Sequence, residues 1–207
     1  MNKPRRPEIS LRKSPQQARS AELVAAILQA AVQVLLREGA TRFTTARVAE
    51  RAGVSVGSVY QYFPNKAAIL FRLQADEWQQ TTAMVRALLQ DQRKAPARRL
   101  RELVHAFLRS EFAEAQVRMA LADAAPLYRD AREAQEMRHD WDGIIAQFMR
   151  EALPGVSAPR RKRAGELMMT TLTTAGEHLS RDTPAAREIR AYGEAMIRTA
   201  GPERMRH

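Results

Sequence analysis

The sequence predicts an all-α fold. Apolar residues recur at spacings of three and four along nearly the whole chain, which is the repeat of one face of an α-helix. Alternating runs of Val, Ile and Thr, which would indicate strands, are nearly missing. Prolines divide the rest into segments of helical length. These breaks fall at Pro96, Pro126, Pro154, Pro159 and Pro184.

Each helix has a recognisable start or end. The first begins at residue 15 or 16 and runs to residue 38, because Gly39 stands where a left-handed C-terminal cap would be. Two short helices follow. One is capped by Thr44 or Thr45 and ended by Gly53, and the other is capped by Ser55 and ends near residue 62. The remaining helices are predicted at residues 66–90, 96–116, 117–124, 127–152, 159–180 and 184–200.

Composition favours a cytoplasmic protein with a polyanionic partner. The chain carries 34 Lys and Arg against 23 Asp and Glu, and residues 1–66 alone hold 11 basic and four acidic side chains. A surface of this kind attracts phosphates and releases their counterions; a merely soluble, Arg-rich protein is the alternative. Cys is absent, which excludes disulfides and thiolate zinc sites. We expect no secretory signal and no membrane span, since no run approaches the ~20 apolar residues required.

Residues 45–64 have the pattern of a helix-turn-helix, whose second helix enters the DNA major groove. Gly53 lies in the turn, and Ala49 is small enough for the two helices to cross closely. A helix that reads base edges uses hydroxyls, amides and methyl groups, so the lack of charge in the second helix fits this role. A helical hairpin with an incidental glycine turn is the alternative. The residues left for solvent or DNA are Ser55, Val56, Gly57, Ser58, Tyr60, Gln61 and Tyr62.

The segment TTARVAERAGVSVGSVYQYFPNKAAIL, residues 44–70, resembles the DNA-binding signature of the TetR family of transcriptional regulators. The resemblance extends over about residues 17–77. It implies phosphate contacts from Thr45 and Lys66, and a possible base contact from Gln61. Tyr62 departs from the His of many relatives, and Val56 replaces a residue that is charged or polar in some. By the same resemblance, base and phosphate contacts cluster at Ser55, Val56, Gly57 and Ser58, with Tyr60 and Tyr62 as backbone clamps.

The resemblance also implies an organisation and a mode of action. Residues 1–16 would form a flexible basic arm, residues 17–77 the DNA-binding domain, and residues 78–207 a helical ligand-binding and dimerisation domain. The function implied is a homodimeric repressor, released from an inverted-repeat operator by a small molecule, without cofactor or metal. A sequence-nonspecific basic DNA-binding protein is the alternative. Arg19 and the arm would reach a neighbouring minor groove or phosphate, or form a disordered tail.

Aromatic and methionine side chains of the C-terminal part are mostly core at their helical spacing. Because relatives keep a small-molecule pocket among these helices, the resemblance implies that some of them line one. Such a lining favours a flat or greasy ligand. The candidates are Trp78, Phe107, Phe112, Met119, Tyr128, Met137 and Trp141.

The helix at residues 158–179 carries two apolar stripes, which predicts burial on two sides. The glycines of one stripe would admit a partner helix. Together with the last helix, this resembles the dimer-forming four-helix bundle of the family; a central helix in a monomeric bundle is the alternative. The dimer candidates are Gly165, Met169, Leu172, Gly176, Ile189, Tyr192 and Met196.

Two Glu-x-x-His pairs raise the alternative of an enzyme: Glu102 with His105, and Glu136 with His139. Paired motifs of this type hold two iron ions in helical bundles. The apolar residues of both helices lie opposite the glutamates at about 100° per residue, so the carboxylates are expected to face outward. The sequence therefore predicts a protein without catalysis, and a helical diiron enzyme is the alternative.

Overall fold

The computed structural model describes residues 8–12, 18–133 and 140–181. The regular elements in these ranges are all helices, which confirms the all-α class. A short 3₁₀ turn follows the sixth helix at Ala125–Leu127. The helices are α1 (Ala18–Arg42), α2 (Thr45–Ala52), α3 (Val56–Tyr62), α4 (Lys66–Leu89), α5 (Pro96–Ala113), α6 (Ala115–Ala124), α7 (Asp140–Ala152) and α8 (Ala158–Arg181).

Most predicted boundaries are confirmed to within a few residues. The break at Gly39 is present as a kink in α1, with φ 71° and ψ 169°, so the residue has the expected positive φ without the ψ of a left-handed cap. The predicted helix at residues 127–152 is wrong at its start. The chain there forms the 3₁₀ turn and further turns to residue 131, because Pro126 cannot continue the backbone hydrogen bonds of α6. The predicted helix at 184–200 lies outside the described residues.

The chain divides into two compact units. Among the described residues, the first unit contains residues 8–12, 18–79 and 116–133, and the second contains residues 80–115 and 140–181. The predicted boundary after residue 77 lies close to the end of the first segment, but residues 116–133 group with the N-terminal unit. The reason is packing within that unit. Tyr128 is buried, packs against Phe71 with the two rings tilted at 55° and their centroids 5.9 Å apart, and donates a hydrogen bond to Gln74 at 3.2 Å.

The core of the first unit positions the two short helices. One face of α1 is buried, including Ile27 and Leu35, and it packs with Val48 of α2 and Val59 of α3 in one apolar cluster. By length and composition alone, α1 could cross a membrane. Its buried face makes it the central support of this cluster instead, and we interpret it as a core helix.

Among the described residues, the core of the second unit encloses two charged side chains, Arg99 and Glu111. Arg99 is 3% exposed and donates to the Glu151 carboxylate at 2.7 Å and to the Leu89 carbonyl oxygen. Its guanidinium also lies 5.4 Å from the centre of the Phe148 ring. The hydrogen bond from Arg99 lowers the pKa of the Glu151 carboxyl below its usual value. This pairing offsets the cost of burying the cation and ties α5 to α7 and to the end of α4.

Candidate nucleic-acid interface

The turn between α2 and α3 is fixed by a left-handed glycine. Gly53 has φ 68° and ψ 30°, a conformation that costs other residues about 1 kcal/mol or more. The N–H of Gly53 donates to the Glu50 carbonyl at 3.2 Å, and the N–H of Val54 donates to the Ala49 carbonyl at 3.0 Å. These two bonds are the Schellman motif. Ala49 is 1% exposed, so the small residue expected at the helix crossing is buried there.

Each short helix begins at a hydroxyl cap. The Thr44 side chain accepts a hydrogen bond from the Arg47 N–H at 3.3 Å, which settles the choice of cap in favour of Thr44. The Ser55 hydroxyl accepts from the Ser58 N–H at 3.0 Å at the start of α3. A cap of this kind stabilises a helix by about 1 kcal/mol, which is a large contribution to the stability of a helix of only seven or eight residues.

Replacing Gly53 by alanine is expected to lower the free energy of unfolding by about 1 kcal/mol, because alanine is strained at this φ. The matched control is Gly143→Ala in α7, where a Cβ also meets nothing within 4 Å. That change should raise stability by about 0.5–1 kcal/mol through helix propensity. Thermal unfolding followed by circular dichroism measures both, and shifts of the same sign would contradict the role given to Gly53.

The outward surface of α3 is uncharged and accessible. Val56 and Tyr60 are about 40% exposed, which is high for large apolar side chains. The two serine hydroxyls at the start of the helix lie 2.8 Å apart, and Gln61 is exposed near the other end. This surface offers hydroxyls, an amide and a methyl-bearing side chain, which are the groups that contact base edges and thymine methyls. Six of the seven residues expected here are exposed or half-buried: Ser55, Val56, Gly57, Ser58, Tyr60 and Gln61.

Thr45 and Tyr60 meet although they belong to different helices. Their hydroxyl oxygens lie 3.0 Å apart in a hydrogen bond at the surface. Lys66, at the start of α4, is half-buried. Hydroxyl and ammonium groups are common donors to DNA phosphates, so these three residues stay candidates for backbone contacts.

The expectation that Tyr62 faces solvent is wrong. The residue is 5% exposed and belongs to the apolar cluster of the first unit. Its carbonyl oxygen accepts a hydrogen bond from the Arg12 N–H at 2.9 Å, so the N-terminal segment passes over this end of α3. Helical periodicity alone predicts that Tyr62 is exposed to solvent. It cannot show the N-terminal segment that passes over Tyr62, because that segment lies about 50 positions away in sequence.

The flexible arm predicted at residues 1–16 is wrong for residues 8–12, which we call the strap. Ile9 is 3% exposed within the cluster of the first unit, and Leu11 packs against the same cluster. The Ser10 hydroxyl donates to the Glu133 carboxylate at 2.6 Å and lowers the pKa of that carboxyl. The signal that could have found this is the apolar alternation of Ile9 and Leu11 within an otherwise polar segment.

The predicted pocket residues fall in different parts of the chain. Trp78 and Tyr128 belong to the core of the first unit, and Met119 is 40% exposed on α6. The second unit contains the other three described candidates, and Met137 lies outside the described residues. Of these, Phe107 is buried, and Phe112 and Trp141 are partly buried against the same cluster.

The prediction that the glycine stripe of α8, Gly165 and Gly176, faces a second subunit is wrong. A Cβ on Gly165 would lie 2.7 Å from Ile145 Cγ2 of α7, and one on Gly176 would lie 2.7 Å from Glu111 Cγ of α5. Leu172 is 1% exposed, and Met169 packs against the same cluster. The helices that approach these glycines therefore belong to the same chain. Ile189, Tyr192 and Met196 lie outside the described residues.

The glutamate of the first Glu-x-x-His pair is engaged in surface ion pairs. The Glu102 carboxylate binds Lys94 at 2.7 Å and Arg98 at 3.1 Å, and both interactions lower its pKa. Within the described ranges, no group of three or more His, Asp or Glu is placed to hold a metal ion. Glu136 and His139 lie outside those ranges.

The fold and this surface define a class: a helix-turn-helix DNA-binding protein, whose α3 is the recognition helix. The sequence matches the family "Bacterial regulatory proteins, tetR family" over residues 27–73 and the "Tetracyclin repressor-like, C-terminal domain" over residues 95–200. The chain belongs to the TetR family, and it is a DNA-binding transcriptional regulator. The members of this family are regulators and not enzymes.

The chain is also similar to individual proteins. The chain is 29% identical to a nucleoid occlusion factor, SlmA of Vibrio campbellii, over 129 residues, which are 60% of this chain and 65% of that protein. Among solved structures, the fatty acid degradation regulator FadR of Bacillus halodurans has a TM-score of 0.70 and 17% identity, covering 92% of this chain and 99% of that one. NalD of Pseudomonas aeruginosa has a TM-score of 0.64 and 19% identity, covering 87% and 96%. These structural likenesses show the fold.

Proposed function

We propose that this protein is a homodimeric repressor that binds an inverted-repeat operator and is released by a small apolar molecule. The carrying observation is the exposed, uncharged surface of α3, framed by the hydroxyl pair of Thr45 and Tyr60 and by Lys66. Phosphate contacts position such a domain, and base contacts specify the sequence. DNA as the partner implies a cytoplasmic location.

A second copy of the chain is the partner that α8 favours. The outward side of α8 carries Leu167, which is 67% exposed, and three exposed threonines, Thr170, Thr171 and Thr174. We call these four residues the Leu167 face. A helix surface that faces water normally carries Lys and Glu. Two recognition helices also read enough base pairs for useful specificity, whereas one does not.

The effector is proposed to be apolar. The second unit contains a cluster of aromatic and methionine side chains, including Phe107, Phe112 and Trp141. Among structural relatives, FadR of Bacillus subtilis is described in complex with stearoyl-CoA, with a TM-score of 0.62, 19% identity and coverage of 85% of this chain and 96% of that one. NalD is described as a secondary repressor of a multidrug efflux pump. Two classes of candidate effector can be compared: long-chain acyl-CoA and planar aromatic compounds. The class that releases labelled operator DNA from the protein is the class to which the effector belongs.

The direct test of the DNA function is selection of bound duplexes from a random pool at one fixed salt concentration. Recovery of an inverted repeat supports a dimeric, sequence-reading regulator. Equal affinity for all duplexes would instead favour a nonspecific basic DNA-binding protein. Fixing the salt concentration matters, since the phosphate component of binding varies steeply with it.

Alanine at Lys66 and alanine at Gln61 are expected to change DNA binding in different ways. Lys66→Ala should weaken binding to every duplex and lower the slope of log K against log salt by about 0.9 for each phosphate that Lys66 neutralises. Gln61→Ala should leave that slope unchanged and alter the preferred sequence. The exposed Arg150→Ala of α7 is the control for loss of charge. A uniform loss from Gln61→Ala would show that this side chain contacts only the DNA backbone.

A further inference from the structure

The strap is fixed along its length to the first unit, which contains the helix-turn-helix and is called the DNA-binding unit below. At one end, the Asn65 side-chain amide donates to the Glu8 carbonyl oxygen at 2.8 Å. At the other, the Arg12 N–H donates to the Tyr62 carbonyl oxygen at 2.9 Å. Between them, Ile9 is buried in the apolar cluster. The strap therefore runs antiparallel to residues 62–65, which connect the recognition helix to α4.

This connection is itself part of the candidate interface. Asn65 accepts a hydrogen bond from the Ala68 N–H at 3.0 Å and so caps the start of α4. One side chain thus holds both the strap and the helix that carries Lys66. Because the Arg12 backbone is bonded to the last residue of α3, its side chain originates at the C-terminal end of the recognition helix.

The cations near the two short helices differ in their availability. Arg47 is paired with Glu38, and Arg51 donates to Gln33, so both hold α2 against α1. Arg12 is exposed, and among the residues that the structure describes neither Arg12 nor Lys66 has an acidic partner. Arginine donors without a protein acceptor at the end of a recognition helix suit a phosphate, whose geometry the guanidinium matches.

We propose that Arg12 is a phosphate-binding residue of the DNA interface, held beside the recognition helix by the strap. The inference rests on the proposed DNA function and deepens it. A docked strap has already lost the conformational freedom that a disordered arm would lose on binding. Arg12 therefore acts together with Lys66 at one end of α3, and residues 8–12 contribute to DNA binding by holding Arg12 in place.

The test measures affinity against salt concentration for the duplex recovered most often in the selection and for a scrambled duplex of equal length. Arg12→Ala keeps the backbone bond to Tyr62 and should lower the salt slope by about 0.9 for each subunit that binds DNA. Affinity for both duplexes should fall at least about tenfold, as for other hydrogen bonds to charged groups. Arg12→Lys should retain most of the slope. Arg150→Ala, which removes the same charge from an exposed site of α7, should change neither.

A second variant tests the positioning. Ile9→Ala should release the strap, so Arg12→Ala should cost less affinity in that background than in the wild type. Additive effects of the two changes would overturn the role of the strap, and identical slopes for Arg12→Ala and Arg150→Ala would overturn the phosphate contact. Failure of the operator proposal is separate. If the protein does not read sequence, the wild type binds the two duplexes with equal affinity. The salt slopes of Arg12→Ala and Arg150→Ala still test the phosphate contact in that case.

Discussion

Replacing Gly176 by leucine is expected to lower the free energy of unfolding of the protein by about 3 kcal/mol. Even a Cβ at this position would lie 2.7 Å from Glu111 Cγ and 3.0 Å from Phe107 Cε1. Glu111 is 7% exposed and Phe107 is 2% exposed, so neither side chain can move into solvent without opening the core of the second unit. The larger leucine must therefore push α5 away from α8 or adopt an unfavourable rotamer.

Gly155→Leu provides a control of the same chemical change. Gly155 is exposed between α7 and α8, and a Cβ there meets nothing within 4 Å. Its replacement should alter stability by no more than about 0.5 kcal/mol. Urea unfolding monitored by circular dichroism compares the two variants. If Gly176→Leu left stability unchanged but abolished self-association, the glycine would face a second subunit, as the sequence pattern alone suggests.

The features that could be predicted from sequence are those that local chemistry fixes. The turn before α3 requires a left-handed residue, which only glycine adopts without strain, and Gly53 supplies it. The caps Thr44 and Ser55 lie within three residues of the N–H groups that they satisfy. Signals of such short range are legible in a single sequence, so the helix-turn-helix and its family can be predicted from residues 44–70 alone.

The features that could not be predicted depend on contacts between distant residues. Tyr62 and the glycine stripe each lie on a helix whose periodicity shows only that a face is apolar, not what covers it. For Tyr62 the cover includes the strap, and for the glycines it is α5 and α7 of the same chain. The same limit applies to the N-terminal arm. Its basic and proline-rich composition indicates disorder, whereas burial of the single side chain of Ile9 marks a docked segment.

The largest expected effect on assembly comes from Leu167→Arg. Leu167 is 67% exposed in one copy of the chain, and in the symmetric dimer proposed above each copy would bury its own Leu167. Losing the burial of one leucine costs about 2 kcal/mol. The two copies together therefore weaken the dimer by about 4 kcal/mol, or roughly a thousandfold in the dissociation constant. Each arginine adds the cost of burying an unpaired charge in the proposed interface.

Sedimentation equilibrium measures this change, and Leu36→Arg is the control. Leu36 is 43% exposed on α1 of the DNA-binding unit, so the same substitution there should leave the dimer intact. The dimer and operator proposals are then linked by one further comparison. Leu167→Arg should bind a single half-site as wild type does, while losing most of its affinity for the inverted repeat, since only a dimer engages both half-sites. A variant that remained dimeric would remove the Leu167 face from the interface and leave the helix-turn-helix assignment standing, because the two rest on different residues in different units.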